Sequence, residues 1–443
     1  MIFELNNLGP IENGAVEMGK LTVFCGSNNT GKTYMNYLIY GFFHFILKDA
    51  GQPVGGMENA YTIKGRSAEI DFSILADNVD EIKKNLKLKF VKELPKIFSI
   101  NEDFFANFSL QIFSKDNVKA LSLDDWCIVA EGVNEGYFDF HRISDSVVRL
   151  DCIEEDDSLI FEKTVITCIR LILNNVLFDY GTYPIFMLPA ERNGLNMFYR
   201  ELNINRNNIL YRMGYENNTS QLKGKIAKYP LPISEYINLL NGMEPDDKRE
   251  NIYGEYASTL EEKIVHGRFC VSNNGVIQFL VNNEKKLDFH LSSSTAKSLF
   301  GLDYLLKNVL AENYTLIIDE PEQNLHPDNQ RYIARLLGKL VNAKVNVIIS
   351  THSDYIIREL NNLILLSNRF KGYEELMKTY GYEESELLKK EDVKGYIFKE
   401  NTIEKVQVDE EGMKMDIFDE VINSMNEASD DIYFTYCEGV EDE

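Results

Sequence analysis

The 443-residue chain predicts an α/β fold built on a central, mainly parallel sheet, with a β-rich N-terminal lobe and a helical insertion. Three observations lead there. Leu316 to Pro327 reads Leu-Ile-Ile-Asp-Glu-Pro-Glu-Gln-Asn-Leu-His-Pro, a branched apolar run entering two adjacent acids and a proline, the pattern of a buried parallel strand that stops at a functional edge. Gly26-Ser-Asn-Asn-Thr-Gly-Lys-Thr33 matches the eight-residue phosphate loop in full. Further apolar runs at Tyr183 to Leu188 and Val345 to Ile349 end in polar residues, as parallel strands buried on both faces do.

The phosphate loop has the context its chemistry needs. It follows a short apolar run, Leu21 to Cys25, and precedes a helical pattern with Met35, Leu38, Ile39, Phe42 and Phe43 on one face. Through Gly26, Ser27, Asn28, Asn29, Thr30 and Gly31 the backbone can curl so that successive N–H groups point at phosphate oxygens, and the helix N-terminus adds partial positive charge. Lys32 would reach the β- and γ-phosphates of ATP and Thr33 would give a hydroxyl to Mg²⁺. On the acidic strand, Asp319 is the candidate metal holder, directly or through water, and Glu320 the group that polarises an attacking water. Pro321 ends the ladder by removing a donor. Asp-Glu-Pro also occurs in ordinary strand-to-turn exits; the phosphate loop is what favours a nucleotide site.

Composition narrows the class. With 44% hydrophobic residues the chain is globular, and its length allows two or three structural units. Lys and Arg number 46 against 70 Asp and Glu, a net charge of −24, so the overall field repels nucleic acid and any direct contact needs a local patch or a partner. Cys25, Cys127, Cys152, Cys168, Cys270 and Cys437 lack metal-ligand spacing, as reduced intracellular thiols do. The start has no signal-peptide pattern, and the apolar run near Tyr37 to Leu47 is too short to span a bilayer. A cytoplasmic protein is expected.

In chain order, residues 1–47 form the first part of an ATPase head, with short strands at Ile2 to Leu5 and Ala15 to Glu17 around a turn at Leu8-Gly-Pro10. Residues 48–180 read as an insertion. Its basic run, Lys83, Lys84, Lys87, Lys89, Lys92 and Lys96, fits a solvated helix face better than a binding patch. Residues 181–195 return to the head with a strand ending in Pro189-Ala-Glu-Arg-Asn-Gly194. Arg192 could meet a phosphate there or hold Glu191, and a structural ion pair would leave the same pattern. Residues 196–266 read as a helical, polar, projecting arm. Residues 267–365 complete the head: a hairpin over Gly267 to Phe289 with Asn273-Asn274-Gly275 as its turn, then Leu291-Ser-Ser-Ser-Thr-Ala-Lys-Ser298 opening a helix, by default a capping device. After the acidic strand, a helix and a further strand lead to Ser350-Thr-His-Ser-Asp354, where His352 is placed to sense a γ-phosphate. Residues 366–443 form a C-terminal extension with a hairpin over Tyr396 to Val408 and a helix with Ile417, Val421 and Met425 in phase.

This order of parts, phosphate loop, long insertion, serine-rich segment, Leu-Ile-Ile-Asp-Glu-Pro-Glu, Asn-Leu-His-Pro and Ser-Thr-His-Ser, resembles the ABC-type ATPase heads of the OLD-like and SMC-like class. The Pro-Ala-Glu-Arg segment is similar to a motif of its stand-alone ATPases from bacterial anti-phage systems such as PARIS or Septu. The resemblance implies an ABC-type P-loop head in which two copies sandwich ATP, the serine-rich segment of one facing the phosphate loop of the other. Carried over by position, Lys32 and Thr33 bind phosphate and Mg²⁺, Asp319 supports the metal, Glu320 is the general base, His352 the switch histidine and Ser292 the trans contact. The family usually has glycine where this chain has Ser293 or Ser294, and Glu or Gln near Thr295, which predicts a looser trans contact or slower turnover. Relatives often continue into a TOPRIM nuclease. Tyr436-Cys-Glu-Gly-Val-Glu-Asp-Glu443 has a faint likeness to that domain's first strand, but a metal nuclease needs acids on several strand ends, so the segment reads as a solvated acidic tail. The expected protein is a homo-oligomeric, Mg²⁺-dependent ATPase that controls a separate effector such as a nuclease. The alternative is an SMC-like maintenance or repair ATPase that grips DNA itself; a transporter cassette is disfavoured by the long insertions.

Overall fold

The computed structural model describes residues 1–48, 53–113, 138–152, 158–178, 183–215, 228–245, 252–272, 274–281, 285–415 and 417–441. Three strands, β1 (Ile2–Leu8), β2 (Ile11–Glu17) and β3 (Leu21–Gly26), lead into helix α1 (Lys32–Lys48). Then come β4 (Tyr61–Lys64), β5 (Ser67–Asp71), α2 (Phe72–Asp77), α3 (Val79–Phe98), β6 (Ser109–Phe113), β7 (Phe138–Arg142), β8 (Val147–Cys152) and α4 (Ser158–Leu177). Strand β9 (Ile185–Leu188) precedes helices α5 (Arg192–Tyr215), α6 (Leu231–Asn241) and α7 (Ile252–Leu260) and strands β10 (Gly267–Val271), β11 (Ile277–Val281) and β12 (Lys285–Asp288). The last third holds α8 (Ser294–Asn308), β13 (Thr315–Asp319), α9 (Pro327–Asn342), β14 (Asn346–Thr351), α10 (Asp354–Ser367), α11 (Tyr373–Tyr380), β15 (Val393–Lys399), β16 (Thr402–Val406) and α12 (Ile417–Glu441).

Among the described residues, nine strands make one sheet in the order β6-β1-β2-β16-β15-β3-β14-β13-β9. From β15 to β9 every neighbouring pair is parallel, whereas β6, β1 and β2 pair antiparallel. The apolar runs follow from burial on both faces. Ile317 and Ile348 turn to a core built with α1 and α3, while Leu316, Ile318, Val347 and Ile349 turn to a second core built with α8, α9 and α10. Alternation within a strand thus serves two cores and leaves no exposed position in β13 or β14.

Several readings change. Helix α1 buries more than one face, adding Tyr37, Tyr40, Phe45 and Ile46, because α3 covers its outer side: the Phe45 ring meets Phe90 at 5.6 Å and the Tyr37 ring meets Phe98 at 6.0 Å. Helices α6 and α7, expected to project, bury Ile233, Tyr236, Leu240, Tyr253, Ala257 and Leu260; their apolar face outweighs the polar composition of the segment. The hairpin of the C-terminal extension stands inside the head sheet, with β15 in register against β3 from Val393–Leu21 to Phe398–Gly26. The Tyr436 segment, expected as a solvated acidic tail, continues helix α12 to Glu441, with Tyr436 exposed.

Within residues 48–180, β6 extends the main sheet beside β1, and β4, β5, β8 and β7 make a separate antiparallel sheet. On α3 the buried stripe is Ile82, Leu86, Phe90, Leu94 and Ile97, which leaves the lysines outward; Lys89 donates to the Pro53 carbonyl at 2.7 Å and Lys96 pairs with Glu93. The expected hairpin after Gly267 is a three-stranded sheet, and Asn273 of its turn lies outside the described residues, as does Cys127. No described helix is long and apolar enough to cross a membrane.

Candidate nucleotide site

The phosphate loop takes its shape from glycine. Gly26 has φ 141° and Gly31 φ 104°, values that L side chains rarely adopt. A Cβ on Gly26 would lie 2.3 Å from the Phe398 carbonyl oxygen, and one on Gly31 would lie 2.6 Å from the Ile11 side chain. Asn29, at φ 63°, is the residue type that tolerates the left-handed region best after glycine. Thr30 Oγ1 donates to the Ser27 carbonyl at 2.9 Å and closes the curl. Lys32 Nζ lies inside it, donating to the Gly26 and Ser27 carbonyls at 3.0 and 2.8 Å. Burial pulls the Lys32 pKa down, and Asp319 is the largest charge opposing that.

Strand β14 separates β3 from β13, yet register brings their ends together: Asp319 pairs with Ser350, and Ser350 with Phe24. The Asp319 carboxylate, buried, accepts from Thr33 Oγ1 at 3.0 Å and from the Ser350 hydroxyl. Asn36, one turn along α1 from Thr33, donates to Ser350 Oγ at 3.0 Å. Burial raises the Asp319 pKa against the pull of the Ser350 and Thr33 hydrogen bonds. A hydroxyl and a carboxylate oxygen at one point fit Mg²⁺, a hard cation that takes one or two protein oxygens and fills its octahedron with water and phosphate oxygens.

The two glutamates of Asp319-Glu-Pro-Glu322 have different surroundings. Glu322 is enclosed: its carboxylate accepts from the His352 N–H at 2.6 Å and from Thr351 Oγ1 at 2.8 Å, and burial raises its pKa. Glu320 is half-buried, and among the described residues nothing bonds to its carboxylate. Its own backbone is unusual, at φ 51°, with the amide donating to the Ser350 carbonyl at 2.9 Å. Sequence reasoning passed over Glu322; the signal was a third acid two residues beyond the pair. His352 is half-buried next to Lys32, and desolvation, then the Lys32 charge, lower its pKa, opposed by a hydrogen bond with the Gly26 backbone. The ring is therefore neutral at pH 7 and able to act as a hydrogen-bond partner on either nitrogen.

Lys32, Thr33, Asp319, Glu320 and His352 thus converge. Arg192 does not join them at a phosphate and does not hold Glu191, which is exposed: its guanidinium is 2% exposed and donates to four backbone carbonyls. Ser292 is buried, its hydroxyl donating to the Phe289 carbonyl at 2.6 Å. Ser293 is the helix cap, accepting from the Ala296 N–H at 3.1 Å.

Residues 187–357 match the family described as the AAA ATPase domain. The matched span includes Asp319, Glu320 and His352 and begins after the phosphate loop. Among curated proteins none matches the sequence. Among solved structures, the chain is similar to the Smc head bound to the C-winged helix domain of ScpA, at 10% identity over 91% of this chain and 96% of that one, TM-score 0.35. It is also similar to the SMC head domain from Thermotoga maritima, at 10% identity over 92% and 98%, TM-score 0.31. A third is the recombination mediator protein RecF of the RecFOR pathway, at 11% identity over 92% and 97%, TM-score 0.30. These overlaps are loose; the α/β assignment stands on the sheet order described above.

Proposed function

We propose that this chain is an ABC-type ATPase of the OLD-like and SMC-like class, which hydrolyses ATP with Mg²⁺, assembles head to head, and controls a separate effector, a nuclease, in anti-phage defence. The observation that carries the nucleotide chemistry is the 3.0 Å hydrogen bond between Thr33 and Asp319, which joins the phosphate loop to the acidic strand at one point. Bound Mg²⁺ would supply charge stabilisation of the phosphate oxygens there. Lys32 exchanges its loop carbonyls for the β- and γ-phosphates. Glu320, whose carboxylate is unengaged, takes the proton of the attacking water, and His352 holds its position between the loop and the γ-phosphate. The serine-rich turn, braced from inside by the buried Ser292, faces the nucleotide of a second copy. A net charge of −24 supports control of a partner over direct cutting of nucleic acid, because the chain's overall field repels the extended nucleic-acid backbone.

Three measurements test this. Purified protein with ATP and Mg²⁺ should release phosphate, and Glu320→Gln should trap an ATP-bound dimer or larger ring in light scattering; an unchanged monomer mass with and without ATP would reject the head-to-head assembly. Plasmid incubated with the chain, Mg²⁺ or Mn²⁺ and ATP should stay intact. Nicking that survives Lys32→Ala and repurification would make the chain itself the nuclease.

A further inference from the structure

Arg192 opens helix α5, and a guanidinium at 2% exposure ordinarily has a carboxylate partner. Here every hydrogen-bond partner is a carbonyl. Nε donates to Ser298 at 3.1 Å, Nη1 to Pro189 at 3.1 Å and to Asp319 at 2.6 Å, and Nη2 to Glu320 at 2.6 Å. The Asp319 and Glu320 carbonyls belong to the two peptide planes on either side of the Glu320 Cα. The first plane is held again through its amide, which donates to Ser350 O at 2.9 Å. The second runs into Pro321, which has no N–H to offer, and its carbonyl, besides Arg192, accepts from the Gln323 amide at 3.1 Å. Both torsions of Glu320 are therefore set from outside, at φ 51°, a conformation that persists in a non-glycine residue only when its surroundings over-determine it.

We propose that Arg192 is a positioning residue that holds Glu320 in its left-handed turn and ties that turn to the serine-rich helix α8. This rests on Glu320 being the base. The tie has further strands: Asn196, one turn along α5, donates to the Lys297 carbonyl at 2.7 Å, Ser298 Oγ to the Gln323 carbonyl at 3.0 Å and Thr295 Oγ1 to the Asn324 carbonyl at 2.8 Å. The start of α8 and residues 320–324 form one block with Arg192 at its centre. A lysine keeps the charge, but one ammonium cannot reproduce a planar fork that meets four carbonyls.

The test is a double-mutant cycle on the full chain, reading kcat by phosphate release and Kd by equilibrium binding of ATP. Arg192→Lys should lower kcat at least ~10-fold while Kd for ATP stays within about twofold, since the phosphate loop is untouched. In the Glu320→Gln background the same change should add less than about a twofold loss, because its route to the chemistry has been removed. Wild-type kcat in Arg192→Lys, or its full loss repeated on top of Glu320→Gln, would overturn the role. Wild-type turnover by Glu320→Gln alone has a different meaning: it removes Glu320 as base, the reading beneath the proposal. If Arg192→Lys is too unstable to assay, Glu320→Gly is added to it. Glycine takes φ 51° without strain, so the melting temperature should recover relative to the single variant, and no recovery would equally overturn the role.

Discussion

The two backbone segments that meet at the nucleotide site reach unusual conformations by opposite means. The phosphate loop, Gly26 to Thr33, uses residues that adopt such torsions unaided: Gly26 and Gly31 supply the positive φ values and Asn29 tolerates one. The acidic turn, Asp319 to Asn324, has no glycine, and Glu320 is held in the left-handed region by hydrogen bonds from Arg192 and to Ser350. A glycine at 320 would suit the backbone and lose the carboxylate. The difference teaches that a loop whose work is done by backbone amides can be built from glycine, while a turn whose work is done by a side chain must be clamped from elsewhere.

The largest expected effects probe the loop. Lys32→Ala should abolish measurable ATP binding in equilibrium dialysis, because the ammonium now resting on the Gly26 and Ser27 carbonyls is the charge that meets the phosphates. Gly26→Ala should come next. Its Cβ would press on the Phe398 carbonyl at 2.3 Å, and a strain of about 1–3 kcal/mol at such a position corresponds to roughly 5- to 140-fold weaker ATP binding. Retained affinity in Gly26→Ala would mean that the loop does not need its glycine geometry.

The turn should answer differently. Glu320→Gln should leave ATP binding near the parent value and slow hydrolysis at least ~100-fold, the scale of losing a general base. Equal losses of binding in Glu320→Gln and Lys32→Ala would erase the contrast between turn and loop.

The smallest effect concerns stability. Burial holds the Asp319 pKa above its ordinary value, so the folded nucleotide-free chain binds this proton more tightly than the unfolded chain, and ionised Asp319 lowers stability as pH rises past the unfolded value. Asp319→Asn removes that cost, and Thr33 can turn its hydroxyl to suit the amide. Its melting temperature without nucleotide should exceed the parent's at pH 7 to 8 by about 2 °C, with the gap closing toward pH 4 as the parent carboxyl takes up its proton. Hydrolysis should be lost in the same variant. A gap that widens on acidification would show that Asp319 is stabilised as a carboxylate.

The amino-acid sequence by itself determined what depends on neighbours along the chain. The loop from Gly26 to Thr33, the apolar run into Asp319 and the position of His352 after a strand are local patterns, and each was legible because its chemistry needs those residue types at fixed spacing. The Tyr396 hairpin was equally visible as two strands and a turn. Only the tertiary structure decided that this hairpin lies in the sheet beside β3, that α6 and α7 pack inward, that Glu322 fastens the His352 loop, and that Arg192 grips the carbonyls of Asp319 and Glu320 across more than a hundred residues. The physical reason is the same in each case. A backbone carbonyl or an open strand edge carries no side-chain label, so nothing in the sequence marks which distant donor or strand will satisfy it; the choice is made when the two cores close and every buried polar group must find a partner.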